Sequence, residues 1–118
     1  MANVLIVDDS LVMRKTLKNL LSEAGFTIVG EAEDGEKAIN KFEETMPDFV
    51  TMDVNMPKMD GIDATRQIIE MHPDAKIIMI SAISDKARVV EAIKNGAKNY
   101  ILKPVTMQKL MDVIHKLN

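Results

Sequence analysis

The sequence predicts a doubly wound α/β domain, in which a parallel sheet of five strands carries helices on both faces. Five short apolar segments alternate along the chain with five amphipathic ones. Most of the apolar segments are nearly continuous in aliphatic residues, as strands are when helices cover both faces of a sheet. Strict alternation of strands and helices favours parallel strands joined by right-handed crossovers. The result is a flavodoxin-like (βα)5 sandwich with strand order 2-1-3-4-5.

A (β/α)8 barrel is the alternative architecture for an alternating pattern. Such a barrel requires eight units and about 250 residues, whereas this chain has 118. No linker, internal repeat or low-complexity tract divides the sequence. We therefore expect one domain over residues 1–118.

The five predicted strands are short, and four of them consist almost entirely of Val, Ile, Leu, Met or Phe. The second is more polar, which predicts a strand at an edge of the sheet. The predicted strands cover residues 3–7, 27–33, 49–52, 76–80 and 99–102.

Apolar residues at helical spacing follow each strand. In the first helix they recur at i, i+4, i+7, i+8 and i+11. In the second they run to Met46, which this spacing predicts to be a core residue, and Pro47 then stops the helix. Polar residues mark the predicted helix starts and glycines the predicted ends. The expected N-caps are Asp34, Ser84 and Thr106, and the expected terminators are Gly25 and Gly96.

Composition excludes several classes of function. Fifteen basic and 18 acidic residues leave a net charge of −3, a poor basis for binding nucleic acid or an anionic membrane, which require clustered positive charge. The absence of cysteine excludes disulfides, thiol nucleophiles and zinc–thiolate sites. No apolar run approaches the roughly 20 residues of a membrane-spanning helix, and no signal peptide is visible. We expect a cytoplasmic protein.

The residues that follow the strands carry the chemistry, because ligands of open α/β sheets bind at the carboxyl ends of the strands. Asp8 and Asp9 follow the first strand and Asp53 follows the third. Ser81 follows the fourth strand, and Lys103 follows the fifth. Three carboxylates, a hydroxyl and an ammonium group are therefore predicted to meet at one edge of the sheet.

Three clustered carboxylates repel one another. At about 5 Å and an effective dielectric constant of about 20, each pair costs roughly 3 kcal/mol, so either a cation or bound protons must neutralise the cluster. The oxygen ligands select a hard cation, with Mg²⁺ ahead of Mn²⁺ or Ca²⁺. Because Mg²⁺ often completes its shell with a phosphoryl oxygen, and Lys103 offers a charge to another, the pattern predicts a site for Mg²⁺ and phosphate.

Each of these residues also has an ordinary structural interpretation. Asp8 and Asp9 could cap the first helix, as could Ser10. Asp53 could cap a turn, while Ser81 could be a loop hydroxyl and Lys103 a surface lysine. The joint placement of these residues at the ends of four strands favours the functional interpretation.

At this point the sequence resembles bacterial two-component receiver domains, and most closely the stand-alone, CheY-like receivers of chemotaxis. The resemblance covers the whole chain. It is carried by V-L-I-V-D-D-S at 4–10, T-M-D-V-N-M-P-K-M-D-G at 51–61, I-I-M-I-S-A at 77–82 and the pair Lys103-Pro104.

The resemblance implies a role for each residue of the acidic site. Asp53 matches the aspartate that accepts a phosphoryl group. Asp9 matches a direct Mg²⁺ ligand and Asp8 a ligand that acts largely through bound water, while the backbone carbonyl of Asn55 completes the metal site. Lys103 matches the invariant lysine of the family.

Two further residues are implied to carry the signal. Ser81 matches the Ser or Thr whose hydroxyl reaches the phosphoryl group, and Tyr100 matches an aromatic switch, although a half-buried ring on the last strand explains Tyr100 equally well. The bond between Lys103 and Pro104 is implied to be cis. Phosphorylation would then change the surface of helix 4, strand 5 and helix 5, with the partner-facing candidates Lys86, Val90, Tyr100 and Lys109.

The implied function is that of a phosphoacceptor. A sensor histidine kinase donates the phosphoryl group, the receiver catalyses its own phosphorylation and slow dephosphorylation without being a turnover enzyme, and a monomer docks on a downstream protein such as a flagellar motor switch. Met1 and a complete fifth helix favour a stand-alone protein over a domain cut from a longer one.

Three alternatives differ in function. The chain could serve another relay than chemotaxis, or it could be a binding module that no longer uses phosphate, although every member of the acidic site is present. A Mg²⁺-dependent phosphatase of the haloacid dehalogenase type would need a second aspartate two residues after Asp53. That position is Asn55, and 118 residues leave no room for a cap domain.

Overall fold

The computed structural model describes residues 2–117, apart from the side chain of Ile83, and within them strands and helices alternate as predicted. The strands are β1 (Asn3–Val7), β2 (Thr27–Ala32), β3 (Phe49–Asp53), β4 (Ile77–Ser81) and β5 (Asn99–Leu102). The helices are α1 (Leu11–Glu23), α2 (Gly35–Thr45), α3 (Gly61–Met71), α4 (Lys86–Lys94) and α5 (Met107–His115), with a 3₁₀ turn at Ile83–Asp85 before α4.

The five strands form one parallel sheet in the order β2-β1-β3-β4-β5. The predicted fold class and strand order are therefore confirmed, and β2 lies at an edge as its polar sequence indicated. The chain reverses its direction of winding between β1 and β3, which are neighbours in the sheet. The carboxyl ends of these two strands border the crevice in which this class of fold binds ligands.

Alternate side chains of the central strands enter two separate cores, which explains why these strands are apolar on both faces. Leu5, Val50 and Met79 pack under α2, α3 and α4, whereas Ile6 and Ile78 pack under α1 and α5. Each fully buried aliphatic side chain contributes about 1.5–3 kcal/mol relative to an exposed one. Burial on both faces therefore fixes the register, and with it the level at which each strand ends.

Most of the predicted helix boundaries are confirmed. The side chains of Asp34 and Thr106 accept hydrogen bonds from the backbone amides three residues on, as N-caps do. Gly25 and Gly96 follow the ends of α1 and α4 with φ values of 95° and 110°, the left-handed region that glycine enters without steric cost.

Two predictions at helix ends are wrong. Ser84 does not cap α4, because it lies inside the 3₁₀ turn and α4 begins only after Asp85, whose side chain makes no capping hydrogen bond. Met46 is not a core residue, because it is the C-cap of α2 in a left-handed conformation (φ 42°) and is 55% exposed.

Within residues 2–117 the structure contains no helix that is both long and apolar enough to span a lipid bilayer.

Candidate functional site

The structure brings the three predicted aspartates together at the carboxyl ends of β1 and β3. Asp8 follows β1 directly and is buried, Asp53 is the last residue of β3 and is also buried, and Asp9 is exposed at the mouth of the site. One carboxylate oxygen from each of them lies within 4.8 Å of the others. The site therefore has two buried carboxylates at its base and one exposed carboxylate, that of Asp9, at its opening to solvent.

Backbone contacts hold Asp8 in place and leave one of its oxygens without a hydrogen bond. Oδ1 of Asp8 accepts a hydrogen bond of 2.8 Å from the amide of Ser10, and the Asp8 carbonyl accepts one of 2.6 Å from the Arg14 guanidinium. The cap of α1 is Ser10, whose hydroxyl accepts from Met13 N. The buried Oδ2 of Asp8 has no hydrogen-bond partner among the described residues.

Lys103 provides the positive charge of the site. Its Nζ lies 3.6 Å from Oδ1 of Asp53 and 3.9 Å from Oδ2 of Asp8. The Lys103–Pro104 peptide bond is cis, as the resemblance implied, and the amide of Lys103 donates to the Ser81 carbonyl over 2.8 Å. One lysine thus contacts both buried carboxylates.

Burial and mutual repulsion raise the pKa values of the two buried carboxylates, those of Asp8 and Asp53. Burial is the main cause that raises the pKa of Asp53, to about 7, and the neighbouring Asp8 carboxylate raises it further while Lys103 opposes the shift. Burial likewise raises the pKa of Asp8, against the hydrogen bond from Ser10 and the charge of Lys103. At neutral pH one lysine does not compensate the cluster, so a further cation or a bound proton is needed.

The donor set of the cluster fits a magnesium ion. All its ligand atoms are oxygens, two carboxylates are buried with raised pKa values, and Oδ2 of Asp8 has no hydrogen-bond partner. Hard oxygen donors of this kind suit Mg²⁺, which retains several waters in most protein sites. The chemistry of Asp8, Asp9 and Asp53 therefore fits the Mg²⁺ ion that the sequence predicts.

The loop between β3 and α3 packs tightly beneath the cluster. The amide of Gly61 donates to the Val54 carbonyl over 2.8 Å, and a Cβ atom on Gly61 would lie 1.9 Å from the Asp53 carbonyl oxygen. Only glycine allows this approach. The carboxylate of Asp60 caps α3 by accepting from Asp63 N over 2.9 Å.

The remaining predicted residues lie beside the cluster. Ser81 is the buried last residue of β4, and its hydroxyl donates to the Ala82 carbonyl over 3.0 Å. The side-chain amide of Asn55 is directed away and donates to Oδ2 of Asp85 over 3.0 Å. Tyr100, on edge strand β5, is 44% exposed and borders a groove against α4.

Sequence reasoning did not identify three polar residues next to the site. Asp60 pairs with Arg88 of α4, whose Nη2 lies 2.6 Å from Oδ2 of Asp60, and Asp85 binds Asn55. These contacts join the loop after β3 to the first turn of α4 and to the 3₁₀ turn before it, between positions 28 and 30 residues apart. In the sequence, Asp60, Asp85 and Arg88 are distinguished only by their charge, and charged residues are common on solvent-exposed segments.

Comparison with known proteins identifies the class to which this fold and site belong. The family described as "Response regulator receiver domain" matches residues 4–115. The chain therefore belongs to the response regulator receiver family.

Several of its relatives within this family are chemotaxis proteins. The chain is 46% identical to the chemotaxis protein CheY of Thermotoga maritima over 115 residues, which cover 98% of this chain and 96% of that protein. It is 44% identical to CheY of Bacillus subtilis over 113 residues, or 96% and 94% of the two chains. Among solved structures, the CheX-CheY-BeF3-Mg complex from Borrelia burgdorferi aligns with a TM-score of 0.93 and 39% identity, covering 98% of this chain and 88% of that one.

Proposed function

We propose that this chain is a phosphoacceptor switch of a two-component system, acting in chemotaxis, in which Asp53 receives a phosphoryl group from a sensor histidine kinase. The observation that carries the proposal is the contact of Lys103 with Asp53, 3.6 Å between Nζ and Oδ1, inside a cluster of three carboxylates. Membership of the receiver family and the CheY relatives support it.

Asp8, Asp9, Asp53 and the backbone carbonyl of Asn55 are the proposed ligands of Mg²⁺. The buried Oδ2 of Asp8, which lacks a hydrogen-bond partner, is the strongest support for this assignment. Bound Mg²⁺ would neutralise the carboxylates and the oxygens of an incoming phosphoryl group. We propose that the chain acts in the cytoplasm as a monomer, as one receiver domain over residues 1–118.

The proposed reaction is an in-line displacement at phosphorus. An oxygen of the Asp53 carboxylate forms the new P–O bond, the P–N bond to the histidine of the kinase breaks, and its electron pair remains on the imidazole. Lys103 and the Ser81 hydroxyl contact the transferred oxygens. Positioning and charge compensation are most of what phosphoryl transfer requires, and the raised pKa of Asp53 makes charge compensation a precondition for the nucleophile.

The surface formed by α4, β5 and α5 is the proposed output. Transfer replaces the single charge of the Asp53 carboxylate by the roughly two negative charges of an acyl phosphate. Its oxygens would draw the Ser81 hydroxyl inward and let Tyr100 move into the space it leaves. In the structure Tyr100, Val90 and Ile93 are 44%, 54% and 40% exposed around a groove of about 530 Å³. We propose that this groove receives a downstream protein, such as a component of the flagellar motor switch.

Two other functions fit less well. A haloacid dehalogenase-type phosphatase needs an acid–base aspartate where this chain has Asn55, whose side chain is bound to Asp85. A binding module that does not use phosphate would not require a lysine in contact with two buried carboxylates, as Lys103 is here.

Treatment with acetyl phosphate and Mg²⁺, followed by intact-mass measurement, tests the proposal. We expect one added phosphoryl group, none without Mg²⁺ and none in Asp53→Asn. Labelling that survives Asp53→Asn, or sustained turnover of a small phosphoester, would contradict it.

A further inference from the structure

Two polar contacts connect the loop that follows Asp53 to the beginning of α4. The side-chain amide of Asn55 donates to Oδ2 of Asp85 over 3.0 Å, and Nη2 of Arg88 donates to Oδ2 of Asp60 over 2.6 Å. Asn55 and Asp60 lie on one side of this junction, while Asp85 and Arg88 lie on the other. The junction therefore joins the proposed phosphoacceptor loop to the helix that borders the output groove.

The contact between Asp60 and Arg88 is short and only partly exposed, with 39% of the Arg88 side chain and 27% of the Asp60 side chain accessible to solvent. Both Asp60 oxygens are engaged, Oδ1 by the amide of Asp63 and Oδ2 by Arg88, whereas Nε of Arg88 is buried without a hydrogen-bond partner among the described residues. Burial raises the pKa of Asp60, but the hydrogen bonds from Asp63 and Arg88 outweigh it and leave that pKa below its ordinary value. The hydrogen bond to Asp60 also raises the pKa of Arg88.

The contact between Asn55 and Asp85 has a different consequence for α4. Asp85 occupies the N-cap position of the helix, yet its side chain makes no capping hydrogen bond. Its Oδ2 accepts from Asn55 instead. Since an Asp at this position ordinarily stabilises a helix by about 1 kcal/mol through capping, the first turn of α4 lacks that support while the contact lasts.

A phosphoryl group on Asp53 would oppose the Asn55 contact. Asn55 lies two residues after Asp53, so its amide could donate to a phosphoryl oxygen in place of Asp85. The added negative charge would also repel the Asp85 carboxylate, and it would pull the Ser81 hydroxyl away from the Ala82 carbonyl that accepts it here. The structure thus holds the Asn55–Asp85 contact in an arrangement that phosphorylation would strain, while the Asp60–Arg88 contact holds the same end of α4 to the same loop.

We propose that the contacts Asp60–Arg88 and Asn55–Asp85 form a brace that stabilises the resting position of α4 and opposes activation at Asp53. This inference rests on the proposed function, since it assigns a regulatory role to residues next to that site. A protein whose binding-competent state is only partly populated binds its ligand more weakly by that fraction. Weakening the brace therefore raises the apparent affinity of the site for a phosphoryl mimic.

Beryllofluoride with Mg²⁺, which mimics a phosphoryl group on an aspartate, is the probe. Its affinity is measured by calorimetry for the full chain and for Arg88→Met, with Arg66→Met as the matched control. Arg66 is also a helix-surface arginine, but its ion pairs with Asp63 and Glu70 stay within α3. We expect Arg88→Met to bind beryllofluoride about 3–10-fold more tightly, the effect of losing one partly exposed charged hydrogen bond, and Arg66→Met to match the native chain.

A second variant removes the same contact from the other side. Asp60→Asn keeps an acceptor for the amide of Asp63 but loses the charge that binds Arg88, so it should also bind more tightly. Combining Asp60→Asn with Arg88→Met should add little to either change alone, because both remove one contact. Affinity for Mg²⁺ alone should not change in any of these variants.

The outcomes separate the two proposals. Unchanged or weaker beryllofluoride binding in both Arg88→Met and Asp60→Asn overturns the brace, and so does an equal gain in Arg66→Met. If the native chain fails to bind beryllofluoride with Mg²⁺, or Asp53→Asn binds it equally well, the proposed function fails and the brace fails with it.

Discussion

Lys103 and Asp53 are in direct electrostatic contact, with 3.6 Å between Nζ and Oδ1, although Asp53 ends β3, Lys103 directly follows β5, and β4 lies between these two strands. The cis peptide bond to Pro104 immediately follows this lysine. The same ammonium group lies 3.9 Å from Oδ2 of Asp8. A single side chain therefore contacts both buried carboxylates.

Replacing Lys103 by Met should slow the phosphorylation of Asp53. The variant loses the positive charge that would meet a transferred phosphoryl oxygen, and removing one such group typically costs about 100-fold or more in rate. Phosphorylation by acetyl phosphate with Mg²⁺, followed by intact mass over time, measures the effect. Lys116→Met, an exposed lysine just after α5, is the control and should react at the native rate. A Lys103→Met rate within about twofold of the native one would contradict the assigned role.

The stability of the metal-free protein should fall as pH rises through the range in which Asp53 ionises. The folded chain has this pKa at about 7, against an ordinary 3.8, so the native state retains a proton that the unfolded chain has released. The free energy of unfolding therefore decreases between about pH 4 and pH 7.

Urea unfolding at pH 5 and pH 8 in the presence of a chelator measures this dependence. One pKa unit corresponds to about 1.4 kcal/mol, so we expect the native chain to lose at least about 1 kcal/mol more than Asp53→Asn across this interval. Parallel stability curves for the two proteins would show that Asp53 is not the responsible group.

Magnesium should stabilise the fold at neutral pH through the acidic cluster. A ligand present at about 100 times its dissociation constant adds about 2.7 kcal/mol, which for a chain of this size raises Tm by roughly 8–15 °C. Asp8→Asn should lose this gain, and without metal it should be more stable than the native chain, because it removes one of the repelling charges. Asp112→Asn, on the exposed side of α5, should respond to Mg²⁺ normally. A full magnesium response in Asp8→Asn would contradict the site.

Gly61→Ala should destabilise the protein far more than Gly30→Ala. A Cβ on Gly61 would meet the Asp53 carbonyl oxygen at 1.9 Å, whereas one on Gly30 would meet a methyl group at the tip of the Leu5 side chain at 3.3 Å. Overpacking against backbone costs about 3 kcal/mol, and the Gly30 change should stay within about 1 kcal/mol. Urea unfolding compares them, and equal stability of the two variants would refute the close contact at Asp53.

The sequence was sufficient to predict the sheet, its order and the meeting of the three aspartates. Strands buried on both faces must be apolar throughout, so Leu5 and Ile6 both signal burial although they face different cores. Once the strands are parallel, the residues that follow them share one edge of the sheet. Asp8 and Asp53 could therefore be placed together without knowledge of any distance.

Features that depend on a local change in backbone direction, or on contacts between distant segments of the chain, could not be predicted in this way. Met46 continues an apolar stripe in sequence, but a left-handed turn exposes it. Ser84 is a good capping residue, but the 3₁₀ turn moves the start of α4 beyond it. The contact of Arg88 with Asp60 joins α4 to the loop before α3, and the packed sheet sets the relative position of these two segments. No local sequence pattern therefore indicates it.

Identification of the modified residue after reaction with acetyl phosphate and Mg²⁺ tests most directly whether Asp53 is the phosphoacceptor. Borohydride reduction of the acyl phosphate followed by peptide mass spectrometry locates the labelled side chain. We expect the label on Asp53, on no other residue, and only when Mg²⁺ is present. A chain that remains unmodified, or a label on Asp8, Asp9 or a histidine, would contradict the assignment of Asp53 as the phosphoacceptor.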